Sequence, residues 1–145
     1  MEGPPASVLF VCNLNTIRSP MAVGLMQLRF ARAVWVDSCG ARPGAPLAPD
    51  PFMLAVMDEA GVDMSGHRPK SFDALGDLNF DLIITLTPEA HHWALEVTRT
   101  LSVDVEYWPT LDPSLAHGAR DQVLEEYRAV RDTLDARIAR RFARD

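Results

Sequence analysis

An α/β fold, with a buried parallel sheet between layers of helices, is what the sequence predicts, and three observations carry that prediction. Two short apolar runs, Val8 to Cys12 and Phe80 to Thr87, lack alternation and read as strands covered on both faces. Segments with apolar residues at helical spacing follow each of them. Proline and glycine gather where one pattern gives way to another, as in Ala41 to Pro51. Strands alternating with helices imply parallel pairing, because a crossover helix is what returns the chain to begin a parallel neighbour.

Taken in order, Met1 to Ala6 is polar and contains proline, and fraying is expected of it. Strand one ends in the polar loop Asn13 to Arg18. Ser19 and Pro20 read as a helix start, serine as the cap and proline at the first helical position. That helix is expected to run to about Ala33, with Met21, Leu25, Leu28 and Arg32 or Ala33 facing inward. VWVDSC alternates into Gly40 and reads as the second strand. A helix from Pro51 to Ala60 follows, capped by Asp50 and stopped by Gly61. After the third strand, Thr87-Pro88-Glu89 opens a helix to about Thr100. Its neighbours His91 and His92 diverge on a helix, so they are expected at the surface and not as a metal pair. Val103 to Pro109 alternates and ends in proline, which suits an edge strand. From Gly118 a long amphipathic helix places Val123, Tyr127, Val130, Leu134, Ile138 and Phe142 inward, acidic residues early and arginines late.

Composition narrows the function. With 145 residues, 48% of them hydrophobic, the chain can bury one substantial core, and a single domain over residues 1–145 is expected. A net charge of −6 argues against nonspecific binding to nucleic acid or an anionic membrane. The arginines of the last helix alternate with Asp and Glu, as on a solvated face. Two cysteines are too few for a disulfide framework, and neither a secretory signal nor a membrane-spanning run is visible. A cytoplasmic setting is expected, where a free thiolate persists.

The loop from Cys12 to Arg18 carries the chemistry. Backbone N–H groups in a tight strand-to-helix loop have no partners of their own, and with the helix dipole they converge on an anion. Arg18 adds a planar fork able to grip two oxygens of a tetrahedral oxyanion. The same field favours the ionised form of a thiol, which makes Cys12 a competent nucleophile, and Ser19 can donate a hydrogen bond to its sulfur. Asn15 sits where a tight turn calls for a left-handed backbone, which asparagine tolerates better than other non-glycine residues.

Cys12-x-x-Asn15-x-x-Arg18-Ser19-Pro20, preceded by VLFV and followed by Met21-Ala22, resembles the low-molecular-weight protein tyrosine phosphatase family, which also includes the thioredoxin-coupled arsenate reductases. The resemblance implies a three-layer α/β/α domain with a four-stranded parallel sheet in the order 2-1-3-4. It implies hydrolysis of phosphomonoesters through a cysteinyl-phosphate, without metal or organic cofactor. The expected substrate is a phosphorylated protein or small phosphoester, with no nucleic-acid or membrane partner, and the chain is expected as a monomer or weak dimer. Phosphate would be held by Asn13, Leu14, Asn15, Thr16, Ile17 and Arg18. Ser38 and His67 would join Asn15 and Ser19 as supports beneath the loop. Asp112, in Asp112-Pro113, matches the acid that protonates the leaving oxygen.

Departures bear on substrate and redox chemistry. Leu14 stands where the family has glycine or a small polar residue, Val23 replaces the usual Glu, Ile17 replaces a second loop cysteine, and Ser114-Leu115 replaces an aromatic pair. The loop Gly44 to Leu47 offers no aromatic for a phosphotyrosine ring. Cys39 stands where the family has Ala and is expected as a small buried residue; a sharper alternative, since it and Cys12 end neighbouring strands, is a reversible disulfide between them. TLTPEAHHWALE lacks the cysteine pair of thioredoxin-coupled reductases. A single-thiol arsenate reductase using glutaredoxin or a small thiol, and a noncatalytic phosphate-binding module, stay open beside the phosphatase.

Overall fold

The structure, a computed structural model, describes residues 4–143 apart from the side chain of Arg32. The elements are β1 (Ser7–Cys12), α1 (Arg18–Phe30), β2 (Trp35–Gly40), α2 (Pro51–Glu59), β3 (Leu82–Thr85), α3 (Pro88–Val97), β4 (Asp104–Tyr107) and α4 (Arg120–Arg141). Short 3-10 turns occupy Ala31–Ala33, Phe72–Ala74 and Pro113–Leu115. All four strands are parallel, in the order β2-β1-β3-β4. Among the described residues no helix is long and apolar enough to cross a membrane.

The pleat of β1 divides the core into two layers. Val8, Phe10 and Cys12 face the side covered by α1, α2 and α4, where Met21, Leu25, Met53, Met57, Tyr127 and Ile138 are buried. Leu9 and Val11 face the side covered by α3, with Ile83, Ala90 and Ala94. Both faces of the central strand are therefore dry, as its unbroken apolar run requires.

That pleat removes the disulfide alternative and leaves Cys39 as the small buried residue expected. Cys12 pairs in register with Gly40, and Cys39 with Val11. Cys39 shares the α3-side core with Leu9 and Val11, whereas Cys12 shares the opposite core with Phe10. The two thiols project from opposite faces and both are free. Burial, reinforced by the nearby Cys12 and Asp37, pushes the Cys39 thiol up to about 12, so it stays protonated.

Four further expectations are corrected. α1 starts at Arg18, and Ser19 lies within its first turn and caps nothing, because its hydroxyl is engaged elsewhere. The inward stripe runs through Met21, Ala22, Leu25 and Met26; beyond it the exposed Arg29 reaches Asp135 on α4 at 2.7 Å, Leu28 and Ala33 are exposed, and the Arg32 side chain lies outside the described residues. His91 is half-buried: its Nδ1 bonds the Thr85 hydroxyl at 3.0 Å and its ring stacks on Tyr107 with centroids 4.6 Å apart. Met1 to Gly3 of the expected frayed start lie outside the described residues, but Ala6 is tied by its N–H to Asp81 and by its carbonyl to the Trp35 N–H.

Asp50 joins α2 and α4 to the loop after β1. Its Oδ1 accepts the N–H groups of Phe52 and Met53 and caps α2, at 2.8 and 3.1 Å. Its Oδ2 accepts the Tyr127 hydroxyl from α4 at 3.0 Å, and its N–H donates to the Thr16 carbonyl at 3.2 Å. Burial first, and the Asp50 charge second, hold the Tyr127 phenol protonated and hence a donor. Asp50→Ala is expected to remove the cap and strand that hydroxyl, lowering stability by about 2–4 kcal/mol. Urea unfolding checks this, with Asp50→Asn retaining much of the loss.

Candidate active site

Strand C-termini converge at one end of the sheet, and in open α/β sheets ligands bind where neighbouring crossovers leave on opposite sides. Here that point lies between β1 and β3. The loop Asn13 to Ile17 leaves β1 there and turns into α1, with Asn15 in the left-handed region at φ 63°. No hydrogen bond is donated by the amides of Leu14 to Arg18 among the described residues, so these N–H groups are free for an anion.

Asn15 is fully buried, and its side-chain amide and its carbonyl are all hydrogen-bonded. Its Nδ2 donates to Ser19 Oγ at 2.8 Å and to Ser38 Oγ at 2.9 Å. Its Oδ1 accepts the Lys70 N–H at 3.0 Å, and its carbonyl accepts from His67 Nε2 at 2.9 Å. Because the amide is donor only, the Ser19 hydroxyl is an acceptor on that side and its hydrogen is left for Cys12 Sγ, 2.9 Å away. The sulfur thus receives a donor fixed through a chain that begins on β2.

His67 stands on the far side of the same carbonyl. Burial holds its imidazole below the ordinary 6.5, the Asn15 carbonyl opposing that and Lys70 adding to it. It is neutral, with its proton on Nε2, which makes it a fixed donor and not a proton carrier for the cleft.

The cleft above the sulfur measures about 130 Å³ and is lined by Cys12, Asn13, Leu14, Thr16, Ile17 and Arg18 from the loop, with Arg42, Asp112 and Ser114 opposite. Of the residues expected to hold phosphate, all but Asn15 line it; Asn15 lies beneath, with Ser19, Ser38 and His67. Arg18 is held by a 2.9 Å bond from Nη1 to the Thr110 carbonyl, and its Nη2 lies 3.9 Å from Asp112 Oδ2. Asp112 Oδ1 accepts both the N–H and the hydroxyl of Ser114, at 2.9 and 2.6 Å, which leaves Oδ2 toward the cleft. Among the described residues no group of three or more His, Cys, Asp or Glu is placed to hold a metal ion.

Several participants were missed in the sequence reading. Gly40 lets β2 pass close beneath the loop: a Cβ there would lie 2.6 Å from the Asn13 carbonyl oxygen. Arg42 reaches the cleft wall while its guanidinium grips Glu89 with contacts of 2.9 to 3.1 Å. Thr87 caps α3 and donates to Asn13 Oδ1 at 2.7 Å. The one available signal was the glycine ending the second strand, a place where close backbone approach is common.

A lone thiol at the end of the central strand, under free amides and beside an arginine and a carboxyl, defines the class: a cysteine-dependent, phosphate-handling α/β enzyme. The chain belongs to the low molecular weight phosphotyrosine protein phosphatase family, whose model matches residues 7–143. A glutaredoxin arsenate reductase of Synechocystis sp. is 30% identical over 138 residues, 94% of this chain and 96% of its own. A protein-arginine-phosphatase of Geobacillus stearothermophilus is 29% identical over 147 residues, 94% of this chain and 93% of its own. A solved arsenate reductase in the phosphate binding state is 28% identical, with a TM-score of 0.72 over 94% of this chain and 96% of that one.

Two outcomes follow from this geometry. Gly40→Ala is expected to push the Asn13 carbonyl and weaken inhibition by vanadate about 10–100-fold while far-ultraviolet circular dichroism stays native; unchanged inhibition would show that the loop does not depend on that approach. For His67 the folded value lies below the unfolded one, so below pH 6.5 the unfolded chain takes up the proton first. Stability should therefore fall as pH drops through 6.5, and His67→Gln should flatten that slope in urea titrations at about pH 5.5 and about pH 7.5.

Proposed function

We propose that the chain hydrolyses phosphomonoesters by two in-line displacements at Cys12. The observation that carries this reading is the donor chain Asn15–Ser19–Cys12, which aims a hydroxyl hydrogen at the sulfur directly below the free loop amides. In the first step the Cys12 thiolate attacks phosphorus, an S–P bond forms and the ester P–O bond breaks. The departing oxygen takes a proton from Asp112, whose Oδ2 faces the cleft. In the second, water attacks the cysteinyl-phosphate, Asp112 accepts its proton, and the S–P bond breaks to free inorganic phosphate. Arg18 and the amides of Leu14 to Ile17 hold the equatorial oxygens throughout. Ser38 and His67 act through Asn15 and are positioning residues.

Phosphorylated protein, phosphotyrosine first, is the proposed substrate class, acted on by the chain as a monomer or weak dimer in the cytoplasm. The relative named a protein-arginine-phosphatase makes phosphoarginine peptides the natural comparison in a substrate panel.

A second reading, arsenate reduction, is favoured by the relative named a glutaredoxin arsenate reductase. Cys12 would form an S–As bond with loss of water, an external thiol would attack the Cys12 sulfur so that the S–As bond breaks and arsenite leaves, and a second external thiol would reduce the resulting mixed disulfide. Arsenate-dependent oxidation of glutathione with glutaredoxin, measured beside phosphatase turnover, separates the two.

Cys12→Ser is expected to abolish release of p-nitrophenol from p-nitrophenyl phosphate. Asp112→Asn is expected to lower kcat by about 10²–10⁴-fold and to remove one limb of the pH–rate profile. Full activity in either variant would overturn the assignment of that residue.

A further inference from the structure

Beside the phosphate cleft lies a larger groove, about 670 Å³, between the segment after β4 and α4. It contains none of the loop residues, and the one lining residue the two cavities share is Asp112. Its apolar side is made by Leu111, Pro113, Leu115 and Val130, of which Leu111 and Leu115 are 81% and 71% exposed. Its polar side carries Glu125 and Glu126 from α4, and no lysine or arginine lines it. Glu125 is paired with Arg128 at 2.6 Å, whereas Glu126 makes no ion pair among the described residues.

We infer that this groove takes the flanking polypeptide of a phosphorylated protein, an apolar side chain on Leu111 and Leu115 with a neighbouring Lys or Arg against Glu126. The inference rests on the phosphatase reading and deepens it. A phosphorylated side chain seated over Cys12 enters past Asp112, and Asp112 also borders the groove, so the residues next to the phosphorylated one are carried onto it. Two exposed leucines at its mouth, Leu111 and Leu115, offer apolar area that a bound chain would cover. Carboxylates at its rim, in a chain of net charge −6, select a cationic flank by attraction and disfavour an acidic one by repulsion. A small phosphoester reaches the cleft without touching the groove, so the groove acts on specificity and leaves the chemical step alone.

Two phosphotyrosine peptides of equal length, one flanked on both sides by Leu and Arg and the other by Ser and Glu, are compared with p-nitrophenyl phosphate on the full chain. The expected result is a kcat/KM about tenfold or more higher for the Leu/Arg peptide, carried by KM, shrinking at high salt. Glu126→Gln and Leu115→Gln should each erode that preference, and Glu126→Gln should leave p-nitrophenyl phosphate turnover at the wild-type level. Equal kcat/KM for the two peptides, or a preference that survives both variants, overturns the inference while leaving the phosphatase intact. Failure to hydrolyse p-nitrophenyl phosphate as well as both peptides removes the phosphatase reading, and this inference with it. Sedimentation showing a dimer that Leu115→Gln dissociates would assign the groove to a second copy of the chain and overturn it likewise.

Discussion

The loop at the centre of the candidate site is held in shape by one buried asparagine. Asn15 is held in a left-handed conformation that its own backbone disfavours, and four hydrogen bonds from separate parts of the chain hold it there. Ser38 comes from β2, Lys70 and His67 from the segment before β3, and Ser19 from the first turn of α1. The loop amides face outward because the side chain that would otherwise compete for them is fully committed beneath. A free loop of the same sequence would have no reason to present its N–H groups together.

That arrangement explains why the sheet order matters chemically. β1 is flanked by β2 and β3, and each neighbour supplies a fixed point at its C-terminal end. From β2, Gly40 approaches closely enough that the amides of Ala41 and Arg42 bond the carbonyls of Cys12 and Asn13, at 2.8 and 3.1 Å. From β3, Leu86 donates to the Val11 carbonyl and Thr87 reaches Asn13. β4 lies one strand further out and delivers Thr110 and Asp112 to the opposite wall, where they meet Arg18. Cys12 is central and Asp112 peripheral, and the cleft of about 130 Å³ lies between them.

The parts of the site that were legible in the sequence are those contiguous along the chain. Cys12, Asn15 and Arg18 fall within seven residues of one another, so their common loop is a local inference. Ser38, His67 and Asp112 were reached through a family pattern, since nothing local distinguishes a serine in an alternating strand or an Asp-Pro turn from many others. Gly40, Arg42, Thr87 and Thr110 became visible only once the strands were ordered, because their roles are contacts between strand ends distant in sequence. Ser19 shows how a correct motif can be assigned the wrong work: Ser-Pro before an apolar stripe is a valid cap signal, but the sulfur 2.9 Å away claims the hydroxyl. The inward stripe of α1 was misphased for a related reason. Leu28 fits a helical period, yet burial ends at Leu25 and Met26, and the next turn meets α4 only through the exposed Arg29–Asp135 ion pair.

The separation of the two thiols bears on which chemistry the fold can complete unaided. Arsenate reduction moves two electrons, and the sulfur that forms the S–As bond must end in a disulfide with a second thiol. Cys39 cannot be that thiol, since it projects from the other face of the sheet into a core that keeps it protonated. Any resolving thiol must come from outside and reach Cys12 through a cleft of about 130 Å³ bordered by Arg18 and Asp112. Hydrolysis needs a much smaller visitor. In the proposed hydrolysis water would enter the same space, Asp112 at its edge would take the proton, and the donors proposed to hold the incoming phosphate would hold it again as it leaves. The geometry of one buried cysteine on the wrong side of a strand thus favours the reaction that asks nothing of a second sulfur.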